Sequence, residues 1–183
     1  MSHDAWTHPG LDEGGFISLD DLRRESRNQS EDSFLREYPQ PGLLAVYQGR
    51  TESGLKELFS GSDDGVQLLT MTTKGHSFLR YLGKVAFVTK RPGNPFGHLV
   101  SIGRSPQNDI TVAVESVSKV HGYFMVEGSS WCYTDHGSTN GSMLGDQILQ
   151  KGGKYTLEGG QLLRLGPEVM LEFLCPQDLF RKL

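Results

Sequence analysis

From about residue 77 onward, short apolar runs alternate with turn-forming clusters at close spacing, and no run needs a helix of ordinary length. In order, the runs are Lys84–Thr89, His98–Ile102, Ile110–Val114, Tyr123–Val126, Trp131–Thr134, Gln147–Leu149, Tyr155–Leu157, Leu162–Leu165 and Val169–Leu174. Between them lie Arg91-Pro92-Gly93-Asn94-Pro95, Ser105-Pro106-Gln107-Asn108, Glu127-Gly128-Ser129-Ser130, Gly137–Gly141, Lys151-Gly152-Gly153 and Glu158-Gly159-Gly160. A chain that turns this often cannot build long helices. Many short strands joined by glycine-rich turns predict an all-β fold, an antiparallel β-sandwich.

The segment before this region has a different texture. Residues 1–40 hold nine acids and four bases, a net −5, while residues 41–183 hold 13 acids and 14 bases. The acidic excess of the whole chain, −4 at pH 7, therefore resides at the N-terminal side. This segment is also poor in β-branched and aromatic residues, which predicts a solvated tail over 1–40, largely disordered. Within it, a short helix is expected at Ser30–Tyr38, with Ser30 or Ser33 as cap and Pro39 and Pro41 as stops. Leu43–Tyr47 reads as a buried strand, Leu55–Phe59 as a helical turn and Val66–Thr72 as a strand. The expected organisation is an acidic tail at 1–40, a lead-in segment at 41–77, the sandwich at 78–176 and a C-terminal tail at 177–183.

Several classes of function are disfavoured. No run approaches the ~18 apolar residues of a membrane helix, and Met1-Ser2-His3-Asp4 lacks the basic and apolar stretches of a secretory signal. The negative net charge speaks against a nucleic-acid binder, which normally carries a basic excess. Cys132 and Cys175 stand far apart without a CxxC pair, so a cysteine-rich zinc site is excluded and a reduced cytoplasmic chain is the simplest expectation. The six histidines show no HExxH spacing, and no metal or cofactor is expected. Gly137–Gly141 is neither a P-loop nor a nucleophile elbow. Ser118, His121 and Asp135 supply the residue types of a triad, but residue types carry no geometry. No enzyme activity is expected.

Three loops draw attention together. A strand ends at Gly103, followed by Arg104. Ser118-Lys119-Val120-His121 forms a second loop, and Asp135-His136-Gly137-Ser138-Thr139-Asn140-Gly141 a third. In a sandwich, connections gather at the ends of the sheets. Meeting at one end, these would offer a guanidinium, a hydroxyl, an ammonium and an amide to a compact anion. A phosphorylated side chain fits, with about −1.5 to −2 charges and three acceptor oxygens at neutral pH. Arginine can hold two of those oxygens in a fork, and lysine adds a point charge.

Gly103-Arg104, Ser118-Lys119-x-His121 and Gly137-Ser138-Thr139-Asn140-Gly141 after Asp135 together resemble the forkhead-associated (FHA) domain, a phosphothreonine-peptide-binding module. The resemblance covers about residues 78–176. It implies a sandwich of about 11 strands whose apical loops bind phosphothreonine. By this resemblance Arg104, Ser118 and Lys119 would contact the phosphate, with Lys119 standing where the family often has arginine. Thr139 would shape the pocket for the threonine methyl group, and Asn140 would bond the backbone of the bound peptide. Gly103, His121 and Gly141 would be architectural.

The chain departs from the family pattern at Ser142, where threonine is common, and at Gly145-Asp146, where a second Asn-Gly is common. The loop Thr111–Ser116 is also less acidic than is typical. The implied function is a non-catalytic adaptor that docks onto a phosphothreonine-bearing protein, a Ser/Thr kinase or its substrate. The alternative is phosphate-independent assembly through the sandwich face. A phosphorylated Thr7 or Thr51, each near acids, would be a candidate internal ligand.

Overall fold

A computed structural model describes residues 8–46, 77–94 and 97–183. The expected turn at Leu55–Phe59, the strand at Val66–Thr72, and Thr7 and Thr51 lie outside these residues. The described part is a β-sandwich with twelve strands and a few short helices. The strands are β1 (Phe16–Ser18), β2 (Gly42–Ala45), β3 (Lys84–Phe87), β4 (Val100–Gly103), β5 (Ile110–Thr111), β6 (Gly122–Glu127), β7 (Ser130–Asp135), β8 (Ser142–Leu144), β9 (Gln147–Ile148), β10 (Lys154–Thr156), β11 (Leu162–Leu165) and β12 (Val169–Leu174). One sheet runs β1-β3-β2-β12-β11-β8-β9 and the other β10-β7-β6-β4-β5. Nine of these strands overlap the runs read from the sequence. Pairing is antiparallel except that β4 and β5 run parallel, with Ile102 opposite Ile110.

The core between the sheets follows from period-two alternation. In β6, Phe124 is fully buried while Tyr123 and Met125 on the other face are partly exposed. Phe124 packs on Tyr133 of β7 at 5.1 Å between ring centroids. Trp131 is partly buried against the same core, so the aromatics of β6 and β7 are sheet-face residues, as their alternation predicted.

From residue 8 onward, the N-terminal segment corrects the expectation of a largely disordered tail. Phe16–Ser18 pairs antiparallel with β3. Helix α1 (Leu19–Ser26) and helix α2 (Glu31–Glu37) follow it. Phe16 enters the inter-sheet core, while Ile17, Leu22 and Phe34 join Leu44, Val85, Phe87 and Leu174 in a second apolar cluster on the outer face of the larger sheet. The apolar residues are few but correctly spaced for one face. Four of the nine acids that suggested disorder sit in the first helical turns, Asp20 and Asp21 in α1 and Glu31 and Asp32 in α2, where the helix dipole favours them. Ser30 caps α2 through the Ser33 N–H at 3.3 Å, as its residue type predicted.

Two further boundaries move. Gly42–Ala45 is an interior strand between β3 and β12 rather than part of a separate lead-in. Its unbroken apolar run is explained by burial on both faces, Leu43 in one cluster and Leu44 in the other. The expected tail at 177–183 is helix α3 (Pro176–Lys182), whose Leu179 completes the second cluster. Cys175 precedes this helix and is only half-buried, rather than a buried small hydrophobe. Its Sγ donates to Asp178 Oδ2 at 2.7 Å. Burial and this carboxylate push the thiol pKa up, which makes Cys175 a poor nucleophile.

The chain before β1 also closes one edge of the sandwich. The Thr111 N–H of β5 donates to Gly14 O at 3.0 Å, so the arm that pairs with the larger sheet also touches the smaller one. A Cβ at Gly14 would stand 2.8 Å from Thr111 O, so this approach admits only glycine.

Candidate functional site

Gly103 ends β4 at a crowded place. A Cβ there would lie 2.5 Å from Lys119 O and 2.9 Å from the Asn108 side-chain nitrogen. Glycine is required for close approach rather than for an unusual backbone turn. The contact lets two loops zip together. Arg104 N–H donates to Ser118 O at 2.9 Å, and Ser105 N–H to Lys119 O at 3.1 Å. Asn108 reinforces the seam, its Nδ2 donating to both Ser105 O and Lys119 O at 2.7 Å.

The third loop is tied to the second. Thr139 N–H donates to Ser118 Oγ at 2.9 Å, and the two hydroxyls lie 3.4 Å apart. Asn140 Nδ2 donates to Ser116 O at 2.7 Å. At least one of its two N–H donors therefore braces the neighbouring loop, a use that the family resemblance did not imply.

Beneath the loops lies a buried polar network. His121 is fully buried. Its Nδ1 accepts the Ser118 N–H at 3.2 Å and its Nε2 lies 3.1 Å from Gly141 O. A carbonyl can only accept, so the proton sits on Nε2 and the ring bridges the second and third loops as a neutral imidazole. Burial lowers the His121 pKa despite the opposing pull of Asp135 and the Gly141 carbonyl, so its 3.8 Å approach to Asp135 is not an ion pair near neutral pH.

Asp135, also fully buried, anchors the third loop. Its carboxylate accepts Ser138 N–H at 2.7 Å and the Ser138 and Ser142 hydroxyls at 2.6 Å each. Burial alone would raise its pKa, but these hydrogen bonds outweigh it and hold the carboxyl below its ordinary value. Since Ser142 gives its one proton to Asp135, Tyr133 must donate to Ser142 Oγ across 3.0 Å. Ser142 thus keeps a hydroxyl in the place where the family commonly has threonine. The sequence reading missed Asn108, Ser138 and Ser142 as supports of these loops. The Asp135-x-x-Ser138 spacing was the legible signal, since aspartate often caps its own turn.

Arg104, Lys119, Thr139 and Asn140 are exposed and Ser118 is half-buried. Among the described residues, neither the Arg104 guanidinium nor the Lys119 ammonium has a carboxylate partner. Loops from three connections therefore offer cationic and hydroxyl groups to solvent over a rigid, neutral-histidine and ionised-aspartate foundation. Such a surface suits an anion with several oxygens. Among the described residues no group of His, Cys, Asp and Glu could hold a metal ion.

The described residues thus form a β-sandwich in which three connecting loops are bonded to one another. Residues 100–166 match the FHA domain family model. Similar solved structures include the FHA domain of an Arabidopsis thaliana protein, 22% identical over 50% of this chain and 73% of that one, with a TM-score of 0.42. The FHA domain of a Chlamydia trachomatis protein is 23% identical over 51% and 86%, with a TM-score of 0.42. A structure from work on phosphothreonine-dependent FHA domain interactions is 17% identical over 74% and 95%, with a TM-score of 0.45. No curated protein matches the chain.

Proposed function

We propose that this chain is a non-catalytic adaptor that binds phosphothreonine on a partner protein in Ser/Thr kinase signalling. One observation carries the reading: Ser118 is tied to Arg104 through the backbone and to Thr139 through its hydroxyl, so an arginine, a lysine and two hydroxyls stand on adjoining loops. Arg104 supplies the fork for two phosphate oxygens, Ser118 a hydroxyl and Lys119 a point charge. Hydrogen bonds to a charged group contribute roughly 1.5–3 kcal/mol each, so two or three approach the ~8 kcal/mol of a micromolar complex before ordering costs. Thr139 would shape the pocket for the threonine methyl group. Gly103, His121 and Gly141 hold the loops in place. Asn140 has a remaining capacity to bond the peptide backbone beyond its bracing of Ser116.

The unpaired thiols Cys132 and Cys175 suit a cytoplasmic location. No described helix is long and apolar enough to cross a membrane. The test is titration of the full chain with one peptide in phosphothreonine, phosphoserine and unmodified forms. Phosphothreonine should bind tightest, with phosphoserine weaker by the ~1–3 kcal/mol of one methyl group. Equal affinity for all three would remove the proposal. A natural partner whose capture survives both phosphatase treatment and Arg104→Ala would instead favour assembly through the sandwich face.

A further inference from the structure

Residues outside the matched FHA segment build a cleft against Arg104. Its volume is about 520 Å³, and its walls include Asp12 and Glu13 from the N-terminal arm, Arg80 from the turn before β3, Lys84 at the start of β3, Arg104, and Thr111 of β5. The walls are fixed by specific bonds. Asp12 Oδ1 accepts Gly14 N–H at 3.0 Å and Phe16 N–H at 2.9 Å, closing a tight turn with Glu13 exposed at its tip. Lys84 Nζ donates to Asp12 Oδ2 at 2.9 Å, which neutralises both charges locally. The Thr111–Gly14 bond pins the turn against the smaller sheet.

Arg80 is held as firmly. Its Nη2 donates to Ala113 O at 2.8 Å and to Tyr81 Oη at 3.2 Å, and its guanidinium carbon lies 5.0 Å from the Tyr81 ring centroid. Tyr81 Oη in turn accepts Ala113 N–H at 2.9 Å. All of these fix the guanidinium without neutralising it. Among the described residues Arg80 and Arg104 have no carboxylate partner, so the cleft offers two cationic forks opposed by one unpaired acid, Glu13. A preorganised guanidinium loses little entropy when it accepts an anion.

We infer that this cleft is a second subsite, contiguous with the Arg104 site, that takes acidic residues flanking the phosphothreonine of the bound peptide. Arg80 is its specificity-determining residue, and Glu13 limits the preference by repulsion. The inference rests on the phosphothreonine reading above, and goes beyond it by making the N-terminal arm part of the recognition surface.

The test uses the full chain and three phosphothreonine peptides: neutral flanks, three aspartates before the phosphothreonine, and three aspartates after it. One of the two acidic peptides should bind about two- to fivefold tighter than the neutral one, the range of a partly exposed ion pair. Arg80→Gln should abolish that gain while leaving the neutral peptide's affinity unchanged. Glu13→Gln should enlarge the gain, which guards against misreading a folding defect in the Arg80 variant. Equal affinity for all three peptides, or a gain that survives Arg80→Gln, overturns the subsite and leaves the phosphothreonine site standing. Failure of the neutral phosphothreonine peptide to bind, or binding untouched by Arg104→Ala, overturns the phosphothreonine reading and the subsite with it.

Discussion

Ser118 and Thr139, 21 residues apart in the chain, share two contacts: the Thr139 N–H donates to Ser118 Oγ at 2.9 Å, and their hydroxyl oxygens are 3.4 Å apart. One oxygen thus joins two loops and is also one of the groups proposed to bind the phosphate. Ser118→Ala removes both roles. A phosphothreonine peptide should bind roughly tenfold weaker to this variant, and the fold should lose about 1 kcal/mol, the worth of one hydrogen bond. Calorimetric titration and denaturant unfolding read the two effects separately. Unchanged peptide affinity would remove Ser118 from the site.

Gly103 is argued from crowding, so its prediction concerns stability. A single methyl group at this position meets the backbone oxygen of Lys119 at 2.5 Å, and backbone cannot move aside as a flexible side chain would. Gly103→Ala should destabilise the fold by about 1–3 kcal/mol. It should also weaken peptide binding, because the seam between Arg104 and Ser118 must open to admit the methyl group. Urea unfolding at pH 7 checks this, and a variant as stable as the parent would show that the seam is looser than the structure has it.

The Asp135 carboxylate accepts three hydrogen bonds with no exposure to solvent. Asp135→Asn replaces one acceptor oxygen by an NH₂ that faces donors. It should cost about 2–4 kcal/mol, more than Ser138→Ala, which deletes only one partner side chain. If the two variants were equally stable, the carboxylate would not be the anchor of the loop.

Acid sensitivity should trace to His121. Burial lowers its pKa in the fold below the ordinary value of 6.5, so the unfolded chain takes up the proton first as pH falls. Stability is therefore complete above about pH 7 and declines below about pH 6.5, by at most ~1.4 kcal/mol per pH unit for one proton. The decline ends once pH drops below the folded-state value. Unfolding free energies at pH 7.5, 6 and 5 should show this slope in the parent and a flatter one in His121→Gln. Parallel slopes would assign the acid sensitivity elsewhere.

The sandwich was legible because its signals are local. Alternation over a few residues and glycine-rich turns specify strands whatever lies across the sheet, and Leu162–Leu165 and Val169–Leu174 were read to the residue. The three adjoining loops were legible as a set because Gly103-Arg104, Ser118-Lys119 and Thr139-Asn140 each keep their own short spacing. The N-terminal arm was not. Leu22 and Phe34 stand among charged residues, and only the outer face of β3, β2 and β12 explains why they are buried. A three-residue strand such as Phe16–Ser18 likewise has almost no signal before its partner is known.

By itself, the order of residues determined the strand rhythm, the turns between strands and the chemical types gathered in three loops, since these depend on neighbours a few positions away. Tertiary structure alone decided that Gly14 meets Thr111, that Asn140 spends an N–H on Ser116, and that Arg80 and Glu13 stand in one cleft with Arg104. Those are contacts between distant segments. Their partners are selected by how two sheets and an arm close around a common core, which no local pattern encodes.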